Sequence, residues 1–186
     1  MIVDPTILAY IAGFLDGDGS IFFQLIRKKD YCLGFQIRTS IAFYQKTANA
    51  QILGWLKERL SSGYIRHRKT GISDYTIVEP REVRRILQLV QPYVRLKKEQ
   101  VRLGLQILGE FPLAGDAAQL IALCRLVDGF RDLNYSKKRT VTSEIVEEHL
   151  RSSGFLAPVE TDPLRRESPA TPLAAKTPVP FVASGG

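Results

Sequence analysis

The first apolar run of the chain, "PTILAYIAGFLDGDG" over 5–19, repeats at helical spacing. Ile7, Tyr10, Ile11 and Phe14 form one stripe, Leu8 and Leu15 a second, and Ala9, Ala12, Gly13 and Asp16 a third of small residues. A helix apolar on most sides is buried on most sides, and small residues let another helix come close. Asp4 suits the cap and Pro5 the first turn, while Gly17 and Gly19 predict the end. The period then drops to two. Ile21, Phe23 and Leu25 alternate with the mixed set Ser20, Phe22, Gln24, Ile26 and Lys28. After "KKDYCLG", Phe35, Ile37, Thr39, Ile41 and Phe43 alternate with Gln36, Arg38, Ser40 and Ala42. Strict alternation predicts half-exposed antiparallel strands. "ANAQILGWLKERLSSG" predicts a helix closed by Gly63, and "GYIRHRKTGISDYTIVEP" a second hairpin with Tyr75 and Ile77 turned inward. Helices are expected over 81–90, 96–108, 116–133 and 143–151. The order αββαββα plus further helices is an α+β fold on a four-stranded antiparallel sheet.

The exposed sheet face then carries Gln24, Lys28, Gln36, Arg38, Ser40, Arg66, Arg68, Asp74 and Thr76. Arginine and lysine suit guanine edges and phosphates, and glutamine suits adenine. An ordinary solvated sheet face uses the same residue types. Charge adds to the first reading: the net charge is +7 and the sequence pI about 9.5, which points to a polyanionic partner.

Composition divides the chain near residue 156. Six of the ten prolines fall within 157–186, where three basic and three acidic residues balance. The excess positive charge therefore belongs to the body, 1–156, and the remainder reads as a flexible Pro-rich tail. Two cysteines, Cys32 and Cys124, make neither a disulfide framework nor a metal-ligand spacing, so a reducing compartment is expected. No apolar run reaches a membrane span, and "MIVDPT" does not resemble a signal peptide.

"DGDGS" (16–20) holds two acids where a helix is expected to end. As a calcium loop it fails, because its sixth and twelfth positions are Ile21 and Arg27 instead of glycine and glutamate. Two readings stand. Asp16 and Asp18 could serve as caps of a turn. Alternatively, an acid beside the carbonyl end of a helix forms a site for a hard cation such as Mg²⁺, which takes one or two carboxylates plus phosphate oxygens and water.

"IAGFLDGDG" (11–19) resembles the signature of the LAGLIDADG homing endonucleases, in a single copy as in their homodimeric branch. "YQKT", "GYIRHR", "SDYTI", "QPYVRLKKEQ" and "LNYSKKRT" resemble further family segments in the same order, over roughly 6–152. The resemblance implies a saddle-shaped sheet and a homodimer that cuts a long, near-palindromic double-stranded DNA site, leaving 3′ overhangs and promoting intron or intein mobility. It implies Asp18 as metal-binding acid assisted by the Gly17 carbonyl, Gln45 as a residue that positions solvent, and Lys97 as the pocket lysine. The cofactor implied is Mg²⁺, with Mn²⁺ able to substitute and Ca²⁺ supporting binding without cleavage. Ser136, Lys137, Lys138 and Arg139 are implied to grip phosphates, and Ala9, Ala12, Gly13 and Asp16 to form the dimer interface. One departure is Asn49, where a relative of this type carries a basic residue. No membrane and no small-molecule cofactor are implied. The expected compartment is a prokaryotic cytoplasm or an organelle matrix. Two other activities remain within the family: RNA maturase, and DNA binding without cleavage.

Overall fold

The structure is a computed structural model and describes residues 4–111, 116–134 and 140–156. The proposed phosphate contacts Ser136, Lys137, Lys138 and Arg139, and the Pro-rich tail 157–186, lie outside the described residues.

Helix α1 spans Pro5–Asp18 and opens as its sequence predicts: the Asp4 side chain accepts from the Thr6 N–H at 2.7 Å. Its end differs from the expectation. The helix runs through Gly17 and Asp18, and only Gly19 leaves it. Gly19 has extended backbone (φ −110°), so left-handed freedom is not its purpose. A Cβ there would lie 2.7 Å from the Leu15 carbonyl oxygen, which accepts the Gly19 N–H. Glycine is needed because strand and helix end touch.

Strands β1 (Gly19–Arg27) and β2 (Phe35–Lys46) follow as an antiparallel hairpin, with Gly19 opposite Phe43. A 3₁₀ turn at Thr47–Asn49 leads into α2 (Gln51–Leu60), then β3 (Tyr64–His67), β4 (Ile72–Ile77) and α3 (Pro80–Val90). Helix α2 ends before Gly63, at left-handed Ser61 (φ 55°). Gly63 (φ +83°) instead admits the chain into β3, where a Cβ would collide with the Thr76 carbonyl oxygen. The four strands form one antiparallel sheet in the order β1–β2–β4–β3. Helices α4 (Lys98–Glu110), α5 (Ala117–Asp128), α6 (Phe130–Leu133) and α7 (Ser143–Ser152) complete an α+β fold. The single helix expected over 116–133 breaks at Gly129 into α5 and α6.

The helices cover one face of the sheet. Ile21, Phe23, Leu25, Ile41, Phe43, Tyr75 and Ile77 are buried there against Ile11 and Leu15 of α1 and the apolar sides of α2–α5. Phe14, Phe43 and Tyr75 stack in a row with centroids 5.9 Å apart, and Phe23 stacks on Phe130 at 4.7 Å. Each such side chain removed from water stabilises the fold by about 1.5–3 kcal/mol. Among the described residues no helix covers the opposite face of the sheet. Among the described residues no helix is long and apolar enough to cross a membrane.

Candidate active site and nucleic-acid interface

The two acids of "DGDGS" meet different surroundings. Asp16 is half-buried, and its carboxylate accepts three backbone N–H groups from the loop before α4. Arg95 and Leu96 donate to Oδ2 at 2.6 and 3.1 Å, and Lys97 donates to Oδ1 at 3.0 Å. The Lys97 Nζ then donates to the Asp16 carbonyl at 2.6 Å. Asp16 thereby ties the entry of α4 to the last turn of α1, as a capping carboxylate does for its own helix. Asp18, two residues on, is exposed.

Lys97 feels both acids. Burial pushes its ammonium below the ordinary lysine value, while the charges of Asp16 and Asp18 pull it back up. Among the described residues no group of three His, Cys, Asp or Glu side chains could hold a metal ion. One chain offers the Asp18 carboxylate at the negative end of α1. The Leu15 carbonyl there is taken by Gly19 and the Asp16 carbonyl by Lys97, and the Gly17 carbonyl is next beside Asp18. These are hard oxygen donors of the kind Mg²⁺ takes, fewer than its coordination requires.

Gln45 lies near the end of β2, opposite Ser73 of β4. Because β1 starts at Gly19 opposite Phe43, Asp18 and Gln45 emerge at the same end of the sheet. The Gln45 Oε1 accepts the Lys46 N–H at 2.8 Å, which turns the side-chain oxygen back on the strand. Ser73 is buried, with its hydroxyl 3.0 Å from Thr47 Oγ1 and 2.8 Å from His67 Nδ1. This polar cluster fixes the end of the sheet and was not singled out from the sequence. Asn49 is exposed in the 3₁₀ turn.

On the uncovered face, Gln24 pairs across the strands with Arg38, and Ser40 with Phe22. Gln24 and Arg38 are exposed, Gln36, Ser40 and Thr76 are half-covered, and Lys28 lies just beyond β1, 3.8 Å from Asp30. Asp74 requires a correction: its side chain is 0% exposed, so it cannot reach a base edge. It holds two arginines instead. Arg66 bridges its carboxylate at 3.2 Å through both Nε and Nη2, and Arg68 Nε lies 2.6 Å from Oδ1. Burial alone would raise the Asp74 carboxyl, but hydrogen bonds from Arg68, Arg66 and Thr76 overcome it and hold the group below the usual carboxylate range. The two arginine side chains remain 54% and 43% exposed, and Arg68 also lies over the Tyr44 ring at 6.0 Å.

One expected interface residue is also corrected. Ala12 is completely buried within its own chain, beside Ile11 and Leu15, and cannot meet a partner. Asp16 is committed to the α4 loop. The small row left open is Ala9, Gly13 and Gly17, four residues apart. A Cβ at Gly13 or Gly17 would meet nothing within 4 Å. Two large apolar side chains join this region, Tyr10 on α1 (52% exposed) and Leu96 in the loop tied to Asp16 (77% exposed). Leu96 escaped the sequence reading because nothing in a linear pattern says that its loop is drawn to the end of α1.

The family model described as LAGLIDADG endonuclease matches residues 11–105. The chain is 34% identical over 153 residues to DNA endonuclease I-CvuI of Chlorella vulgaris, across 82% of this chain and 95% of that one. It is 36% identical over 140 residues to DNA endonuclease I-CreI of Chlamydomonas reinhardtii, across 75% of this chain and 85% of that one. Two crystal structures of I-CvuI match with a TM-score of 0.78 and cover 82% of this chain. One holds its target DNA with 2 mM Ca (33% identity, 98% of that chain), the other the I-CreI target with 2 mM Mg and the DNA not cleaved (34% identity, 97% of that chain).

Proposed function

The chain belongs to the LAGLIDADG endonuclease family, and we propose on that premise that it is a site-specific homing endonuclease. It binds double-stranded DNA as a homodimer and hydrolyses a phosphodiester in each strand. What supports this most is the division between the two acids: Asp16 draws Lys97 to the end of α1 and leaves Asp18 free beside it. The relatives are DNA endonucleases by name, and the I-CvuI structures hold DNA with Ca or Mg.

Asp18 and the Gly17 carbonyl would hold Mg²⁺, and Mn²⁺ has the same preference for oxygen. When bound there, such an ion would supply Lewis-acid chemistry, polarising the phosphate and lowering the pKa of water. The rest is done by side chains of this protein. Lys97 offers a cation, its pKa lowered by burial and raised again by Asp16 and Asp18, to the charge that builds on the phosphate. The Gln45 side-chain amide, its oxygen held by Lys46, orients solvent at the cut. Gln24, Arg38, Arg66 and Arg68 meet base edges and phosphates in the major groove, which admits a two-stranded ribbon. The homodimer brings two copies of Asp18 together through the Ala9–Gly13–Gly17 row, adding a second chain's donors to those of the first. Two-fold symmetry makes the target near-palindromic.

The experiment is selection of cleaved duplexes from a randomised palindromic library in Mg²⁺, with wild type and Asp18→Asn compared on the selected site. Wild type should cut both strands. Asp18→Asn should not cut, yet should bind the same duplex in Ca²⁺ within about threefold of wild type, since phosphate and base contacts lie elsewhere. A wild type that binds DNA without cutting in Mg²⁺ or Mn²⁺, or an Asp18→Asn protein that cuts at the wild-type rate, overturns the assignment.

A further inference from the structure

The uncovered sheet face is polar at both ends and apolar in its middle. Gln24, Arg38 and Gln36 occupy one end, and Arg66, Arg68 and Asp74 the other. Between them Phe22 stands opposite Ser40, and Thr76 lies between Ala42 on one side and Tyr64 on the other. Val78 follows Ile77, the partner of Ile41, and its carbonyl accepts from the Thr39 hydroxyl, so it borders Ser40. Phe22, Tyr64 and Val78 line one groove of about 630 Å³ together with Gln24, Arg38 and Arg66. Tyr64 and Val78 are among the large apolar side chains that the described chain leaves most exposed.

Apolar side chains set between arginines on a nucleic-acid face need an apolar contact on the nucleic acid. The major groove displays one such group, the C5-methyl of thymine, and phenylalanine is among the side chains that suit it. Ser40 and Thr76 are short, so they leave room above the patch for the methyl to enter.

Resting on the endonuclease reading, we infer that Phe22, Tyr64 and Val78 form a specificity pocket for a thymine methyl, at one or two base pairs in the middle of the stretch each subunit reads.

The test uses the full chain and duplexes selected in Ca²⁺ from a randomised palindromic library. Wild type should enrich thymine at one or two positions per half-site, inside the positions lost in Arg38→Ala and Arg66→Ala. Replacing that thymine by deoxyuridine, which removes only the methyl, should weaken binding about fourfold per half-site, the worth of one buried methyl-sized group. Phe22→Ser should abolish the difference between thymine and deoxyuridine there while preserving the flanking preferences. Val78→Ser is the second variant, and the deoxyuridine comparison on wild type needs no variant at all. A selected site without thymine at these positions, equal binding of the two bases by wild type, or undiminished discrimination in both variants overturns the inference. A wild type that enriches no duplex overturns the endonuclease reading instead.

Discussion

Asp16 and Asp18 stand two residues apart on one helix end and perform different work because their neighbours differ. Three amide N–H groups and a lysine claim the first; the second faces solvent. Asp74 is the third acid with a defined task. Its carboxyl lies below the ordinary aspartate value of 3.8, so it stabilises the fold above that value, and the contribution is lost as pH falls through its lowered folded value. Asp74→Asn should therefore cost about 1–3 kcal/mol at neutral pH and should flatten the acid limb of stability against pH, as measured by urea unfolding from pH 7 to pH 2. With Arg66 and Arg68 no longer held, the same variant should bind non-cognate duplexes more tightly relative to the cognate one. Unaltered stability at pH 7 would show that the paired arginines contribute nothing net. The residue types at these positions were legible in the sequence, and their assignments were not. Alternation places Asp74 on the exposed face, but only the register that sets it opposite Arg66 shows that arginines cover it.

At the scale of elements, period carries most of the information. The strands follow from strict alternation, and α1 follows from its apolar stripes and the Asp4–Pro5 start. What periodicity could not decide was which small row of α1 stays open, because Ala12 and Gly13 are adjacent and both small. Packing decides it: Ala12 lies with Ile11 and Leu15 against the core, and Gly13 lies with Ala9 and Gly17 outside. The break at Gly129 was invisible for a similar reason, since both sides of it continue the helical pattern. Gly13→Leu tests the open row. A helix-interior glycine replaced by leucine gains about 0.5–1 kcal/mol of helix propensity, and the space around Gly13 is free. The monomer should therefore unfold at the same temperature or slightly higher. The dimer should weaken by about tenfold or more, roughly 1.4 kcal/mol for each factor of ten, because the inserted side chain holds the helices apart. Sedimentation over a concentration series reads the second effect and thermal unfolding the first. Unchanged dimerisation would move the interface off α1.

Each molecule carries one Asp18 at the end of α1, and among its described residues no group of three His, Cys, Asp or Glu side chains could hold a metal ion. On the proposed endonuclease reading, two copies act on one duplex together. Mixing wild type with Asp18→Asn distinguishes a shared site from two independent ones. Equal amounts of both, refolded together, pair at random, so about one quarter of the dimers carry two copies of Asp18 and about half carry one. If both carboxylates serve a common set of ions, the hybrid dimers bind the target and leave both strands intact. Double-strand cutting then falls to about a quarter of the all-wild-type rate, and no nicked product accumulates. If each carboxylate serves one strand, the hybrids nick, and open-circular plasmid appears in proportion to them. The arrangement at the helix end favours the first outcome: Asp18 lies beside the open Ala9–Gly13–Gly17 row, so a copy related by two-fold symmetry across that row brings its own Asp18 to the same place. Accumulation of nicked plasmid in the mixture, with wild-type dimers alone giving linear product, would refute sharing while leaving the endonuclease assignment standing.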